Sequence, residues 1–198
     1  MTRPDGQSAA TCVAVYEEPD HRVEISNDFV YAYRVRIAPG ANTLWHRHTE
    51  DTVYFALAAA RAQEELPARE AIVTEIPCNV AVSRPHKAEP LVHRVTNGGE
   101  VEFHMLGAEA LARPSGAGAG EAPPAGWTLA LETPRFRVWR SVHGSTAWHP
   151  ARPGLLVAVD GCRLGDGRVL APADCLWVDA HASCELPPGF DGFFAAWL

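Results

Sequence analysis

The stretch "PGANTLWHRHTEDTVYF", residues 39–55, holds two histidines one residue apart, with two acids close behind. In an extended strand residues i and i+2 share a face, their Cα atoms roughly 6.5 Å apart. His46 and His48 can therefore converge on one ion, each giving a neutral imidazole nitrogen at about 2.0–2.1 Å. Trp45 and Arg47 then point the other way. Alone, the pair reads equally well as polar surface, because histidine is commonly only partly buried. A third ligand decides between the readings.

The rest of the chain bounds the search. Its 198 residues can form one large domain or two small ones, and 47% hydrophobic with 21% charged residues is ordinary globular composition. Sixteen Gly and 16 Pro among short β-branched and aromatic runs favour strands and turns over long helices. The net charge is −7 and Lys87 is the sole lysine, so the clustered cations of a nucleic-acid binder are missing. No apolar run approaches the roughly 20 residues that span a bilayer. The opening "MTRPDGQSAATC" has no apolar signal region, so the cytoplasm is the expected compartment. Cys12, Cys78, Cys162, Cys175 and Cys184 lack CxxC spacing and read as free thiols.

"LARPSGAGAGEAPPAGW" (111–127) is poor in large apolar side chains, so 111–126 reads as a linker between halves at 12–110 and 127–198. The halves resemble each other. "YRVRIAPGANTLWH" (33–46) lies over "FRVWRSVHGSTAWH" (136–149) without a gap, matching Arg34/Arg137, Val35/Val138, Thr43/Thr146, Trp45/Trp148 and His46/His149, which points to an internal duplication. In the first half "FVYAYRVRI", "TLWHRH", "TVYFALA", "AIVTEI", "PLVHRVTN" and "VEFHML" read as strands. Between the third and fourth, "RAQEELPARE" (61–70) reads as a charged loop or as a short helix broken at Pro67. That many short strands predict an all-β barrel or sandwich.

A later strand supplies the third ligand: "HRVTNGGEVEF" carries His93, with Asn97 before a Gly-Gly turn. "PGANTLWHRHTEDTVYF" followed by "EPLVHRVTNGGEVEF" resembles the two motifs of the cupin superfamily over most of residues 30–107. The first motif is a Gly, five residues, then His-x-His, which Gly40, "ANTLW", His46 and His48 match. The second has a turn, a His, three residues and an Asn, matched by His93 and Asn97. The resemblance implies a small antiparallel β-barrel of jelly-roll type. It also implies a mononuclear divalent metal held by His46, His48 and His93.

Two positions depart from the pattern. Thr52 and Val53 stand where cupins usually supply a ligating Glu. Glu50 and Asp51 come earlier and read as solvated turn acids, with ligation as the other reading. "AEPLVH" lacks the usual Gly, and Pro90 is expected to shape a different turn. A site of three histidines without carboxylate resembles the iron centres of cupin thiol dioxygenases, diketone-cleaving dioxygenases and gentisate-type dioxygenases. Iron is therefore the first expectation for the cofactor, although Zn, Ni, Mn or Cu also suit three imidazoles.

The second half lacks a comparable set. His149 stands in the first ligand position, but Ala151 replaces His48 and Leu155 replaces Thr52. His181 or Cys184 falls near the third position. The expectation is a shorter, degenerate cupin half retained for packing or dimer formation. Further candidates near the first site are His104, as a surface residue or a base beside the metal, and Tyr54, two residues beyond Thr52. Arg34 and Arg36 share a strand face opposite Tyr33, Val35 and Ile37; they clamp a substrate carboxylate if that face lines the barrel, and aid solubility if it faces water. His21, His86 and His143 have no partner pattern and receive no role.

Three functions follow as alternatives. One is a mononuclear iron dioxygenase of a small organic acid, diketone or thiol. A second is a metal-dependent isomerase, lyase or decarboxylase, and a third a non-catalytic small-molecule-binding cupin. A small-molecule substrate and a homodimer are the expected partners.

Overall fold

Alternating apolar and polar residues between short Gly-, Pro- and Asn-rich turns make strands almost throughout. The structure, a computed structural model, describes residues 9–115, 126–144 and 147–198. Most of the 111–126 linker, together with Thr146 and the side chain of His143, lies outside the described residues. The contacts divide the chain into two compact units, one ending at Glu109 and one running from Ala110, the latter taking in Asn27–Val30. Among the described residues no helix is long and apolar enough to cross a membrane.

The first unit contains β1 (Val13–Ala14), β2 (His21–Ser26), β3 (Val30–Ile37), β4 (His46–His48), β5 (Thr52–Ala56), β6 (Ala60–Glu65), β7 (Ile72–Ile76), β8 (Val80–Arg84), β9 (Leu91–Asn97) and β10 (Phe103–Ala110). They form two five-stranded sheets, ordered β1-β4-β9-β6-β7 and β2-β3-β10-β5-β8. One core draws on both: Tyr33, Val35 and Ile37 of β3 and Phe103 of β10 pack with Ala60 and Ala62 of β6. This is the antiparallel jelly roll expected from the sequence, with the short β1 pairing β4 in parallel.

The segment 61–70 is a correction. It is neither loop nor helix in its first part, because β6 runs to Glu65 and pairs with both β7 and β9. Alternation explains the difference: Ala60 and Ala62 point into the core while the charged residues find partners across the strands, Glu65 meeting Arg94. β10 also extends four residues beyond "VEFHML".

Two motif residues hold the barrel's end. Gly40 takes a left-handed φ of 73° and donates its N–H to Asn97 O. The fully buried Asn97 donates from Nδ2 to Ile37 O and Val101 O, and its Oδ1 accepts the Gly99 N–H.

The second unit contains β11 (Trp127–Glu132), β12 (Phe136–Gly144), β13 (Ala147–Trp148), β14 (Gly154–Ala158), β15 (Cys162–Arg163), β16 (Val169–Leu170), β17 (Cys175–Val178), β18 (Cys184–Glu185) and β19 (Phe190–Trp197). Five of them form the sheet β11-β12-β19-β14-β17, with two-stranded pairs β13-β18 and β15-β16. Its core is aromatic, built around Trp127, Trp139, Trp148, Phe190 and Phe194.

Candidate metal centre

β4 and β9 bring the three histidines together. The antiparallel register sets His46 opposite His93, and His48 follows on the same face. His93 Nε2 lies 3.0 Å from His46 Nε2 and 3.2 Å from His48 Nε2. All three residues are buried. Among the described residues they are the one group of three potential ligands that converges on a common point.

Each ring is fixed from behind. His46 Nδ1 donates to Leu44 O at 2.9 Å, while His48 Nδ1 lies 3.1 Å from Glu109 Oε1 and His93 Nδ1 2.7 Å from Glu64 Oε1. With each Nδ1 held by an oxygen, the three Nε2 atoms face one another, the aim that metal ligation requires. Glu18 adds a further support, accepting the Leu44 N–H at Oε2. Burial drives the His46 pKa down to about 2, with His93 and His21 adding to the effect, and pushes His48 well below its ordinary value. Both rings are thus neutral at pH 7, ready to ligate without losing a proton. Burial raises Glu109 to about 8, with Glu50 contributing, whereas the hydrogen bond from His93 holds Glu64 below the usual carboxylate range.

Glu64 and Glu109 went unrecognised in the sequence. Glu109 was within reach: extending the β10 alternation from Phe103 through Met105 and Gly107 points it inward. Glu64 was hidden inside the segment read as a loop. His21 and His86, given no role, also join the site. The His21 ring stacks on Tyr33 at 4.7 Å and meets the His46 ring edge-on at 4.8 Å. Burial lowers its pKa to about 3. His86 stacks on His48 at 5.0 Å and pairs through Nε2 with Tyr54 Oη at 3.1 Å. Burial, then His93, lowers the His86 pKa to about 4.

The other candidates divide. Tyr54 does reach the site, its Oη lying 3.4 Å from His48 Nδ1. Glu50 and Asp51 do not: Glu50 pairs with Lys87 Nζ at 3.0 Å and Asp51 accepts the Lys87 N–H, as turn acids do. Of the two readings for Arg34 and Arg36, the geometry matches the one away from the cavity, which neither of them lines. They stand on the face of β3 opposite Tyr33, Val35 and Ile37, where Arg34 pairs with Glu24 and Arg36 with Glu102. His104 shares that outer side, since Phe103 and Met105 take the inward positions on β10.

A cavity of about 430 Å³ opens beside the histidines, with Tyr54, Glu64, His86 and His93 on one side and mostly apolar side chains elsewhere. Its size suits a small organic molecule.

In the second unit His149 is exposed, while Trp148, one residue earlier, enters the core. Trp148 opposes Cys184 across β13 and β18, so continuing the register puts Ser183 opposite His149. Neither His181, which is exposed, nor Cys184 occupies the place equivalent to His93.

No family model matches the chain, and no curated protein matches it. Solved structures do. YlbA from E. coli superposes over 100% of this chain and 89% of its own, at a TM-score of 0.63 and 8% identity. A salicylate 1,2-dioxygenase variant from Pseudoaminobacter salicylatoxidans, in complex with gentisate, matches over 94% of this chain and 76% of its own, with a TM-score of 0.61 and 12% identity. A cupin domain from Bordetella pertussis is 29% identical over 46% of this chain and 92% of its own, at a TM-score of 0.43. The fold is the cupin fold in two halves, and the cluster of His46, His48 and His93 fits a three-histidine cupin metal site.

Proposed function

We propose that His46, His48 and His93 hold a single divalent metal ion, and that the protein is a mononuclear non-haem iron dioxygenase acting on a small organic molecule. The observation that carries the metal reading is the set of three Nδ1 atoms, each held by its own oxygen, which leaves three Nε2 atoms aimed at one point. Iron held by these three residues would supply Lewis acidity and one-electron chemistry with O₂. The chain's own residues position and exclude. Glu64 and Glu109 orient two of the rings, and the apolar cavity walls keep water from the substrate. The fold of the salicylate dioxygenase supports this choice by analogy.

Tyr54 and His86 favour a second reading. Their 3.1 Å contact beside His48 forms a polar pair able to hold or move a proton, which suits a metal-dependent isomerase or lyase. In either case residues 12–110 carry the chemistry, and 127–198 serve as a degenerate half joined through 111–126. The experiment is elemental analysis of protein purified without added metal, followed by O₂ uptake with Fe(II) and a panel of acids, diketones and thiols. O₂ consumption matched to substrate loss is the expected result. Turnover that proceeds equally without O₂ selects the isomerase or lyase, and the absence of bound metal overturns both.

A further inference from the structure

We infer that Arg84 anchors the carboxylate of an organic acid whose apolar body occupies the cavity beside the three histidines. The inference rests on the reading of that cavity as the substrate site and adds the class of substrate.

The placement follows from β8. Val80, Val82 and Arg84 alternate along this strand and all three line the cavity. Pairing with β5 confirms the face: Val82 opposes Tyr54, which points at the histidines, and Arg84 opposes Thr52, two residues along. An arginine thus continues a row of valines along one wall of the cavity, at its exposed edge, where Val82 and Arg84 both meet solvent. Its guanidinium is near enough to Glu64 and His86 to act electrostatically on both.

The neighbouring acids are already engaged. Glu64 accepts from His93, and Glu75 lies 3.5 Å from Arg61. Among the described residues no carboxylate pairs with Arg84. The remaining wall is mostly apolar, including Ile76, Leu91, Val95, Phe103 and Met105. A cationic ligand meets Arg84 with like charge, and a neutral apolar one leaves the exposed guanidinium to solvent and draws nothing from it. A carboxylate takes both oxygens to the planar fork of donors, while its hydrocarbon part covers the wall. A charge on a terminal strand of a sheet also discourages strand pairing between molecules, and β8 is such a strand. The two roles separate experimentally.

The test is calorimetric titration of benzoate, phenylacetate and hexanoate, each beside its uncharged amide, into protein as purified and after chelator treatment. At least one acid is expected to bind at least tenfold more tightly than its amide. Arg84→Ala should lose about tenfold for that acid and nothing for the amide, with Tm and metal per chain unchanged, while Arg84→Lys recovers part of the loss. No binding of any acid by the wild type overturns the inference. So does equal acid affinity in Arg84→Ala, which assigns Arg84 to edge protection alone. Acid affinity that vanishes on chelation but survives Arg84→Ala also overturns it, because the ion then holds the carboxylate. Protein that carries no metal as purified yet keeps the Arg84-dependent preference supports the inference and defeats only the three-histidine reading.

Discussion

The same Trp-His dipeptide stands at the start of β4 and at the end of β13, with opposite members buried. In the first half His46 is buried at the cluster, while Trp45 lies under the Arg94 guanidinium, 5.6 Å from its ring. In the second half Trp148 is the buried residue, its ring edge-on to Phe194 at 4.2 Å, and His149 is exposed. β3 and β12 differ in the same way. Ile37 faces the first core, but its aligned counterpart Arg140 pairs with Asp191, and Trp139, aligned with Arg36, enters the second core. A one-residue change of phase moves every side chain of a strand to the other face. The duplication visible in the letters therefore preserves the strands and inverts their content. One interior keeps polar space lined by histidines and carboxylates. The other is filled with indole and phenyl rings.

The largest effect expected from that contrast is on metal. His48→Ala should leave two imidazoles, too few to compete with water and buffer, so metal per chain falls from one to nearly none. Elemental analysis checks it, and a full complement of metal in the variant would break the assignment of chemistry to the first half.

Next in size is Trp148→Ala, which opens a cavity in the aromatic core and should destabilise the protein by about 3–5 kcal/mol. Denaturant unfolding gives the loss. The folded fraction should still carry its metal, and co-loss of metal would show that the halves are not functionally separate.

Acidification of metal-free protein sharpens the same point. His21 and His46, with folded pKa values near 3 and 2, and the depressed His48 stay neutral in the fold but take up protons in the unfolded chain below about 6.5. Their stabilisation is complete above pH 6.5 and is lost as pH falls toward those folded values. Glu109, raised to about 8, opposes them by one proton between pH 8 and its ordinary carboxylate range. His86, lowered to about 4, adds a fourth proton, and four against one leave a net fall of roughly 3–4 kcal/mol per pH unit below about 5.5. Tm recorded from pH 7.5 to 5 tests the sign. In a variant with His21, His46 and His48 all replaced by Gln the slope should disappear; an undiminished slope would locate the effect elsewhere.

The smallest expected effect is from His149→Ala. An exposed imidazole contributes less than about 0.5 kcal/mol, and metal content should stay at the wild-type level. A loss of metal here would reverse the reading of the second half.

Much of the first half was legible because its information is local. The spacing of His46 and His48 puts them on one face whatever the rest of the chain does. The runs around Gly40 and Asn97 mark turns whose backbone chemistry the structure bears out. His93 joined the pair through the resemblance of its surroundings to the second cupin motif, and the register of β4 against β9 sets it opposite His46. Local pattern also separated the half with three histidines from the half without them.

Tertiary structure decided the rest, and the reason is geometric. Strand periodicity specifies which residues share a face but leaves open which face is inside, so Trp148 and His149 could not be told apart, nor could Arg34 and Arg36 be placed. The carboxylates that orient the ligands lie far away in sequence, Glu64 29 residues from His93 and Glu109 61 residues from His48. Such pairs form only when separate strands are registered against each other. His86 and His21 likewise become site residues through ring contacts across the barrel. The sequence alone determined that three histidines can meet; the sheets decided what stands behind them, and that the matching strand of the second half turns its tryptophan inward instead.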